Sequence, residues 1–304
     1  MIGDRVWLAP AKINLGLRVV GRRPDGYHLL ESHFVALDLA DRLRIAIEPA
    51  AAAQVQLAVS GQASGVPTGP ENLVVRAAEA YLKSAGATAR VTIELQKIIP
   101  VGAGLGGGSS DAASVLLALS KHFENAIAKP ELAALALSLG ADVPFFLDPR
   151  PAWVTGVGEC IDPLDVSLPP LDVVLVTPSP GLPTAEVFRG WDAALTPSGA
   201  SRRMPALRDD RGRKLIASLE DEGLLLSELL TNDLEPVATQ LRPAIHRIRS
   251  ELGRLGARAV AMSGSGPTVF GLFRTSEQAR AAASMGRFDA TDRVLVARTI
   301  DASC

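Results

Sequence analysis

Between Lys97 and Ala113 the chain reads Lys-Ile-Ile-Pro-Val-Gly-Ala-Gly-Leu-Gly-Gly-Gly-Ser-Ser-Asp-Ala-Ala, a glycine run that opens straight into an alanine- and leucine-rich segment. Gly102, Gly104, Gly106, Gly107 and Gly108 carry no Cβ, so the backbone can take positive φ and turn several N–H groups toward one anion. The apolar spacing of Ala112–Phe123 predicts a helix beginning near Asp111. Its unsatisfied N-terminal N–H groups and positive dipole end favour a phosphoryl group. Ser109 and Ser110 place hydroxyls where they could reach a phosphate oxygen or a metal ion. A flexible glycine-serine linker has a similar composition. Here, however, Val-Thr-Ile-Glu-Leu at 91–95 alternates as a strand does, so the run is bracketed by a strand and a helix and reads as a phosphate cradle.

An ordinary P-loop ends in Gly-Lys-Ser/Thr because its lysine reaches the terminal phosphates, and Gly107-Gly108-Ser109 has no such lysine. Gly102, Gly104 and Gly107 match Gly-x-Gly-x-x-Gly, which alone is a weak sign of a dinucleotide site. That fingerprint also expects a second strand ending in an acidic residue about twenty residues on. The chain instead runs through Lys121-His122-Phe123-Glu124-Asn125 into a second helical pattern at Pro130–Leu139.

The 304 residues, 47% of them hydrophobic, suffice for one large core or two ordinary ones, and two domains are expected. A formal charge of −2 gives no bulk attraction to nucleic acid or to acidic membranes, so neither is an expected partner. The start, Met-Ile-Gly-Asp-Arg-Val-Trp-Leu-Ala-Pro, shows no cationic segment followed by an apolar one. No run of about eighteen apolar residues occurs, and a cytoplasmic protein is expected. Cys160 and Cys304 are too few for a disulfide framework or a four-cysteine zinc site.

Strands are predicted at Val6–Leu8 and Asn14–Val20, then a loop at Arg22–Tyr27 and apolar alternation from His33 to Glu48. A Gly/Pro-rich stretch at Gly61–Pro70 leads into a helix over Asn72–Ala85, stopped by Gly86. Helix Pro130–Leu139 ends at Gly140, and Asp142 follows at a corner before Phe145-Phe146-Leu147. Short strands at Ala152–Thr155 and Glu159–Ile161 precede Pro163 and Pro169-Pro170, where a boundary divides the chain into 1–163 and 164–304. The second part predicts strand Asp172–Thr177, helix Thr184–Ala194, an arginine-rich loop at Thr196–Arg213, and helices broken by Pro236 and Pro243. Strands Ala257–Met262 and Thr268–Phe273 flank the loop Ser263–Pro267, and helix Glu277–Met285 and strand Arg293–Ile300 close the chain. This order fits a split βαβ unit with helices on one antiparallel sheet.

Two further segments join the glycine loop: Pro10-Ala11-Lys12-Ile13-Asn14-Leu15 and Met262-Ser263-Gly264-Ser265-Gly266-Pro267-Thr268. Together the three resemble the galactokinase, homoserine kinase, mevalonate kinase and phosphomevalonate kinase (GHMP) family. Asp25-Gly26-Tyr27-His28 and Leu139-Gly140-Ala141-Asp142-Val143-Pro144 resemble a branch of it whose acceptor is a cytidine diphosphate-linked methylerythritol. The resemblance implies an α+β fold with a ribosomal-protein-S5-like N-terminal domain, a ferredoxin-like C-terminal domain, and ligands in the cleft between them. It implies transfer of the γ-phosphoryl of ATP, as its Mg2+ complex, to the 2-hydroxyl of that small molecule, and a monomer or weak homodimer.

By the same resemblance Asp142 matches the base and Lys12 its partner, which would orient the carboxylate and stabilise the developing alkoxide. Singly, Asp142 reads as a turn carboxylate and Lys12 as a solvated surface charge. Asn72, the backbone at Lys97, and the run Pro100, Val101, Gly102, Ala103, Gly104, Leu105, Gly106, Gly107, Gly108, Ser109 and Ser110 match the ATP site. Asn14 would lie near the reacting hydroxyl, His28 would read the cytosine edge, Tyr27 and Phe188 would line its faces, and Thr184 would add a hydroxyl. Phe188 could equally be core, Tyr27 a turn staple, and Ser263–Pro267 a tight turn. The metal ligands stay unknown, with Ser110 and Asp111 as candidates. The chain departs from the family at Asp148-Pro149-Arg150-Pro151, where a glycine-containing turn, often with a cationic residue, is expected and Arg150 is the candidate for that charge, and at Ser201–Arg213, which matches no motif. A mevalonate- or homoserine-type acceptor, a nicotinamide-dependent oxidoreductase and an inactive binding protein are the competing readings.

Overall fold

A computed structural model describes residues 5–164, 168–194, 219, 226 and 230–300. The arginine-rich stretch Thr196–Arg213, Cys304 and residues 1–4 lie outside the described residues. The fold has two compact units that alternate along the chain. The first takes the residues up to Ala11, Leu39–Val101 and Gly106–Pro149; the second takes Lys12–Asp38, Gly102–Leu105 and the chain from Arg150 on.

In the first unit, β3 (Gln54–Gly61) runs parallel to β4 (Ala89–Lys97), and β4 pairs antiparallel with the Arg42–Pro49 half of β2 (His28–Pro49). Strand β4 alternates strictly, burying Ala89, Val91, Ile93, Leu95 and Lys97. Helix α1 (Leu73–Ser84) buries Val74, Ala78, Tyr81 and Leu82 and is capped by Asn72, whose Oδ1 accepts from Val74 N–H at 2.8 Å. Helices α2 (Gly107–His122) and α3 (Lys129–Leu139) pack with it, and a short 3-10 turn, Pro144–Leu147, follows Asp142.

Helix α2 begins four residues before the predicted start near Asp111. Glycine and serine are poor helix formers, which hides the first turn from a propensity argument. Its N-cap, Gly106, has φ +72°, a left-handed conformation in which a Cβ would crowd the backbone.

In the second unit a hairpin joins β2 to the part of β1 (Val6–Arg22) that begins at Lys12, and it closes where Arg23 N–H donates to Tyr27 O at 2.7 Å. The two predicted strands at 6–8 and 14–20 are one. Pro10 does not interrupt them because β1 pairs with β2 alone among the named strands, and a proline costs no ladder bond on an open edge. Strands β5 (Ala152–Gly156) and β6 (Cys160–Pro163) extend from the Leu30–Phe34 half of β2.

The rest of this unit is β7 (Asp172–Thr177), α4 (Thr184–Ala194), α5 (Glu235–Leu241), α6 (Ala244–Arg254), β8 (Ala259–Met262), β9 (Val269–Phe273), α7 (Ser276–Met285) and β10 (Arg293–Arg298). The sheet order β10-β7-β9-β8, antiparallel throughout, is the ferredoxin-like arrangement expected from sequence. Val174 and Val176 of β7 share one buried cluster with Ile245, Ile248 and Leu252 of α6 and with Ala279 and Ala282 of α7. Each large aliphatic side chain buried there contributes about 1.5–3 kcal/mol. Pro236 and Pro243 sit at helix starts rather than inside helices, where a missing N–H costs nothing.

Candidate active site

Lys12 is 3% exposed, which removes the solvated-surface reading. Its Nζ donates to Asn14 Oδ1 at 2.6 Å and lies 4.5 Å from the Phe34 ring centre, where the ring's negative face favours the charge. The orientation of Asn14 is fixed in turn. Ser32 gives its hydroxyl proton to Gly16 O at 2.6 Å, so its oxygen accepts, and Asn14 Nδ2 donates to it at 2.8 Å. That leaves Oδ1 facing the ammonium.

The glycine loop meets the same group of residues. Lys12 N–H donates to Leu105 O at 2.9 Å, and Ser263 Oγ donates to Gly104 O at 2.9 Å. Gly104 has φ +74°, and a Cβ on it would collide with Ser263 O, so no other residue fits here. Ser263–Pro267 is the tight turn joining β8 to β9, with Ser263 N–H on Thr268 O at 2.9 Å. Asn232 clamps it, donating to both Met262 O and Gly264 O at 2.8 Å. Asn232 carries no motif in the sequence. Thr184 Oγ1 lies 2.8 Å from Ser265 Oγ, which brings the start of α4 to this turn.

His28 and Phe188 are together. Their rings stack at 4.7 Å with an 18° interplanar angle, and His28 Nε2 lies 2.7 Å from Asp192 Oδ1. Phe188 is half-buried and packs on the core of this unit with its other contacts. Tyr27 is 64% exposed, so it does not staple the turn against a core.

In the first unit, the residues below the helical part of the glycine run form a charged brace that sequence reasoning missed. Asp41, Lys97 and Asp111 are all 4% exposed or less. Lys97 Nζ donates to Asp111 Oδ2 at 2.7 Å and to Asp41 Oδ2, while Asp41 Oδ1 accepts from the N–H groups of Ile98 and Ile99. The brace thus ties the entrance of the glycine loop to the first turns of α2. Burial works against the charge on Lys97, yet Asp111 and Asp41 outweigh it and hold its pKa above the ordinary lysine value. Burial pushes the Asp111 carboxyl up to about 7, with Lys97 drawing it back and Asp41 adding to the rise.

Asn72 spends both ends of its amide locally, capping α1 and donating to Pro67 O at 2.6 Å. Pro100 is half-buried and Val101 exposed. Ser109 is half-buried, and Ser110 is fully buried with no hydrogen-bond partner for its Oγ among the described residues. Asp142 is half-buried between the end of α3 and the buried Phe145 and Phe146. Arg150 is half-buried.

No group of three or more His, Cys, Asp or Glu able to hold a metal occurs among the described residues. A magnesium ion carried by nucleotide phosphates keeps most of its ligands as water and phosphate oxygen and asks one or two of the protein. The Ser110 hydroxyl and Asp111 Oδ1, both buried at the start of α2 and without a partner among the described residues, fit that demand, while Asp111 Oδ2 is held by Lys97.

Comparison with known proteins agrees with this picture. The model of the GHMP kinases N terminal domain matches residues 72–148, and that of the GHMP kinases C terminal domain matches 215–289. The 4-diphosphocytidyl-2-C-methyl-D-erythritol kinase of Pelotomaculum thermopropionicum is 42% identical over 295 residues, covering 97% of each chain. That of Anaeromyxobacter dehalogenans is 43% identical over 304 aligned residues, covering 97% of this chain and 90% of the relative. A crystal structure of 4-(cytidine 5'-diphospho)-2C-methyl-D-erythritol kinase superposes with a TM-score of 0.78 at 41% identity over 97% of this chain and 99% of that one. Leishmania major mevalonate kinase shares the fold at 13% identity, with a TM-score of 0.71 over 99% and 98% of the two chains.

Proposed function

The chain belongs to the GHMP kinase family, and from that premise we infer that it transfers the γ-phosphoryl of ATP to the 2-hydroxyl of 4-diphosphocytidyl-2-C-methyl-D-erythritol in isoprenoid biosynthesis. The observation that carries this is identity above 40% along almost the whole chain to kinases of that one acceptor. The division at 163/164 is the proposed boundary of the two family domains, and the two matched family models lie on either side of it.

Asp142 is the proposed base. Its carboxylate takes the proton of the 2-hydroxyl as that oxygen bonds to the γ-phosphorus, while the bond from phosphorus to the β–γ bridging oxygen breaks and ADP leaves. Lys12 supplies a fixed cation for the charge on the acceptor oxygen, and a buried, oriented ammonium needs no reorganisation at the moment of transfer. Asn14 acts chiefly by holding Lys12, because its Oδ1 is committed to that ammonium. The glycine loop and the first turn of α2 offer N–H groups to the phosphates. Ser110 would hold a magnesium ion that arrives with the nucleotide, and that ion would supply charge neutralisation of the triphosphate. Asn72 and the Lys97 backbone are the proposed adenine contacts, and Tyr27, His28, Phe188 and Thr184 the cytidine-side contacts.

ATP consumption measured beside mevalonate and homoserine tests the acceptor, and Asp142→Asn tests the base. Turnover is expected with the cytidylyl substrate alone, and the variant is expected to lose about 10²–10⁴ in kcat while still binding ATP. Turnover of another alcohol would discard the acceptor, and an Asp142→Asn enzyme with full kcat would remove the base.

A further inference from the structure

His28 opens β2, and its ring lies on Phe188 of α4. One helical turn beyond Phe188, on the same face, stands Asp192. Asp192 Oδ1 is 2.7 Å from His28 Nε2, and its Oδ2 is 3.2 Å from an Arg22 guanidinium nitrogen. Arg22 Nε also donates to Gly26 O at 3.1 Å, so the turn carrying Tyr27 and His28 is tied to α4 through this one carboxylate. The His28 side chain is only 9% exposed, which leaves it little freedom to reorient.

An ionised carboxylate only accepts hydrogen bonds. A neutral His28 facing it through Nε2 therefore carries its proton there, and Nδ1 keeps a bare lone pair. A lone pair accepts from an amino group and repels a carbonyl oxygen. Cytosine presents an amino group at the position where uracil presents a carbonyl, so the tautomer decides which pyrimidine this ring can pair with.

We propose that Asp192 is a positioning residue for base specificity: by fixing the tautomer of His28 it makes that ring an acceptor for the cytosine amino group and excludes a uracil-linked acceptor. This rests on the reading of His28 as the contact to the cytosine edge. A carbonyl set against the lone pair leaves both groups unpaired, which weakens the uridine-linked analogue roughly ten- to hundredfold.

The test joins a spectroscopic and a kinetic readout on the full chain. The chain has four histidines, so nitrogen-15 histidine labelling gives few ring signals, and His28→Gln identifies the one that belongs to His28. At about pH 8.5 the expected spectrum shows Nε2 protonated and Nδ1 bare. Asp192→Ala and Asp192→Asn are expected to give a mixture of tautomers and to raise KM for the cytidine-linked acceptor roughly tenfold, an effect larger on KM than on kcat. Both should narrow its preference over the uridine-linked analogue, and Asp192→Glu should restore part of it. A His28 protonated on Nδ1 in the wild type would overturn the proposal. So would an unchanged preference in both Asp192 variants while His28→Ala abolishes it. If His28→Ala itself leaves KM unchanged, the reading of His28 fails and the proposal falls with it.

Discussion

His33 is 6% exposed and rests against Trp153, with ring centroids 4.5 Å apart. Its Nδ1 donates to Leu15 O at 3.3 Å, and its Nε2 is buried with no partner among the described residues. Burial pushes its pKa from 6.5 down to about 4, and the bond to Leu15 only partly opposes the fall. The unfolded chain therefore binds this proton at a higher pH than the native state does. The stability at stake is fully present above pH 6.5 and is lost as pH drops toward 4, about 3 kcal/mol across the window. Urea midpoints measured from pH 7 to 4 should fall, and should fall less in His33→Phe; equal slopes would contradict this. The same scale shows what a motif leaves out. Lys12 and Asn14 alternate with Ala11, Ile13 and Leu15 along β1, which by period alone turns them to solvent. They are buried because Ser32, Phe34 and Ser263 cover that face, and no local pattern announces residues so distant in the chain.

At the scale of elements, the Asp41–Lys97–Asp111 brace was half legible. Lys97 continues the buried series Val91, Ile93 and Leu95, so its charge had to meet a partner inside. Asp41 precedes Leu43 and Ile45 on the buried face of β2 in the same way. The antiparallel register, with Arg42 opposite Gln96, sets the two ends side by side, and that register spans a separation that sequence alone does not resolve. Removing the ammonium leaves two carboxylates buried and unpaired. Lys97→Met is expected to lose about 3–5 kcal/mol of unfolding free energy in denaturant titration, and Lys97→Arg less. A loss below about 1 kcal/mol, the range of exposed pairs, would show the brace to be solvated. The start of α2 at Gly107 was missed for the opposite reason. Its Gly-Gly-Ser-Ser turn has poor intrinsic propensity, and tertiary packing overrides it.

Over the whole molecule, the order of elements in the second unit was readable to within a few residues, because each short strand is bounded by glycine, proline or a clear helical period. The interleaving of the units was not readable. A linear boundary cannot show that Lys12–Asp38 and Gly102–Leu105 fold with the C-terminal residues, since those contacts arise only from long-range pairing such as Leu37 with Thr299. What the motifs did convey is the chemistry, because five short segments in fixed order specify a reaction more tightly than a topology. The most direct test of that chemistry is the phosphorus-31 spectrum, without proton decoupling, of the product formed from ATP and 4-diphosphocytidyl-2-C-methyl-D-erythritol. Carbon 2 bears no hydrogen, so transfer to its hydroxyl is expected to give a new phosphomonoester singlet. A doublet or triplet would place the phosphate on an oxygen whose carbon carries hydrogen and would contradict the account.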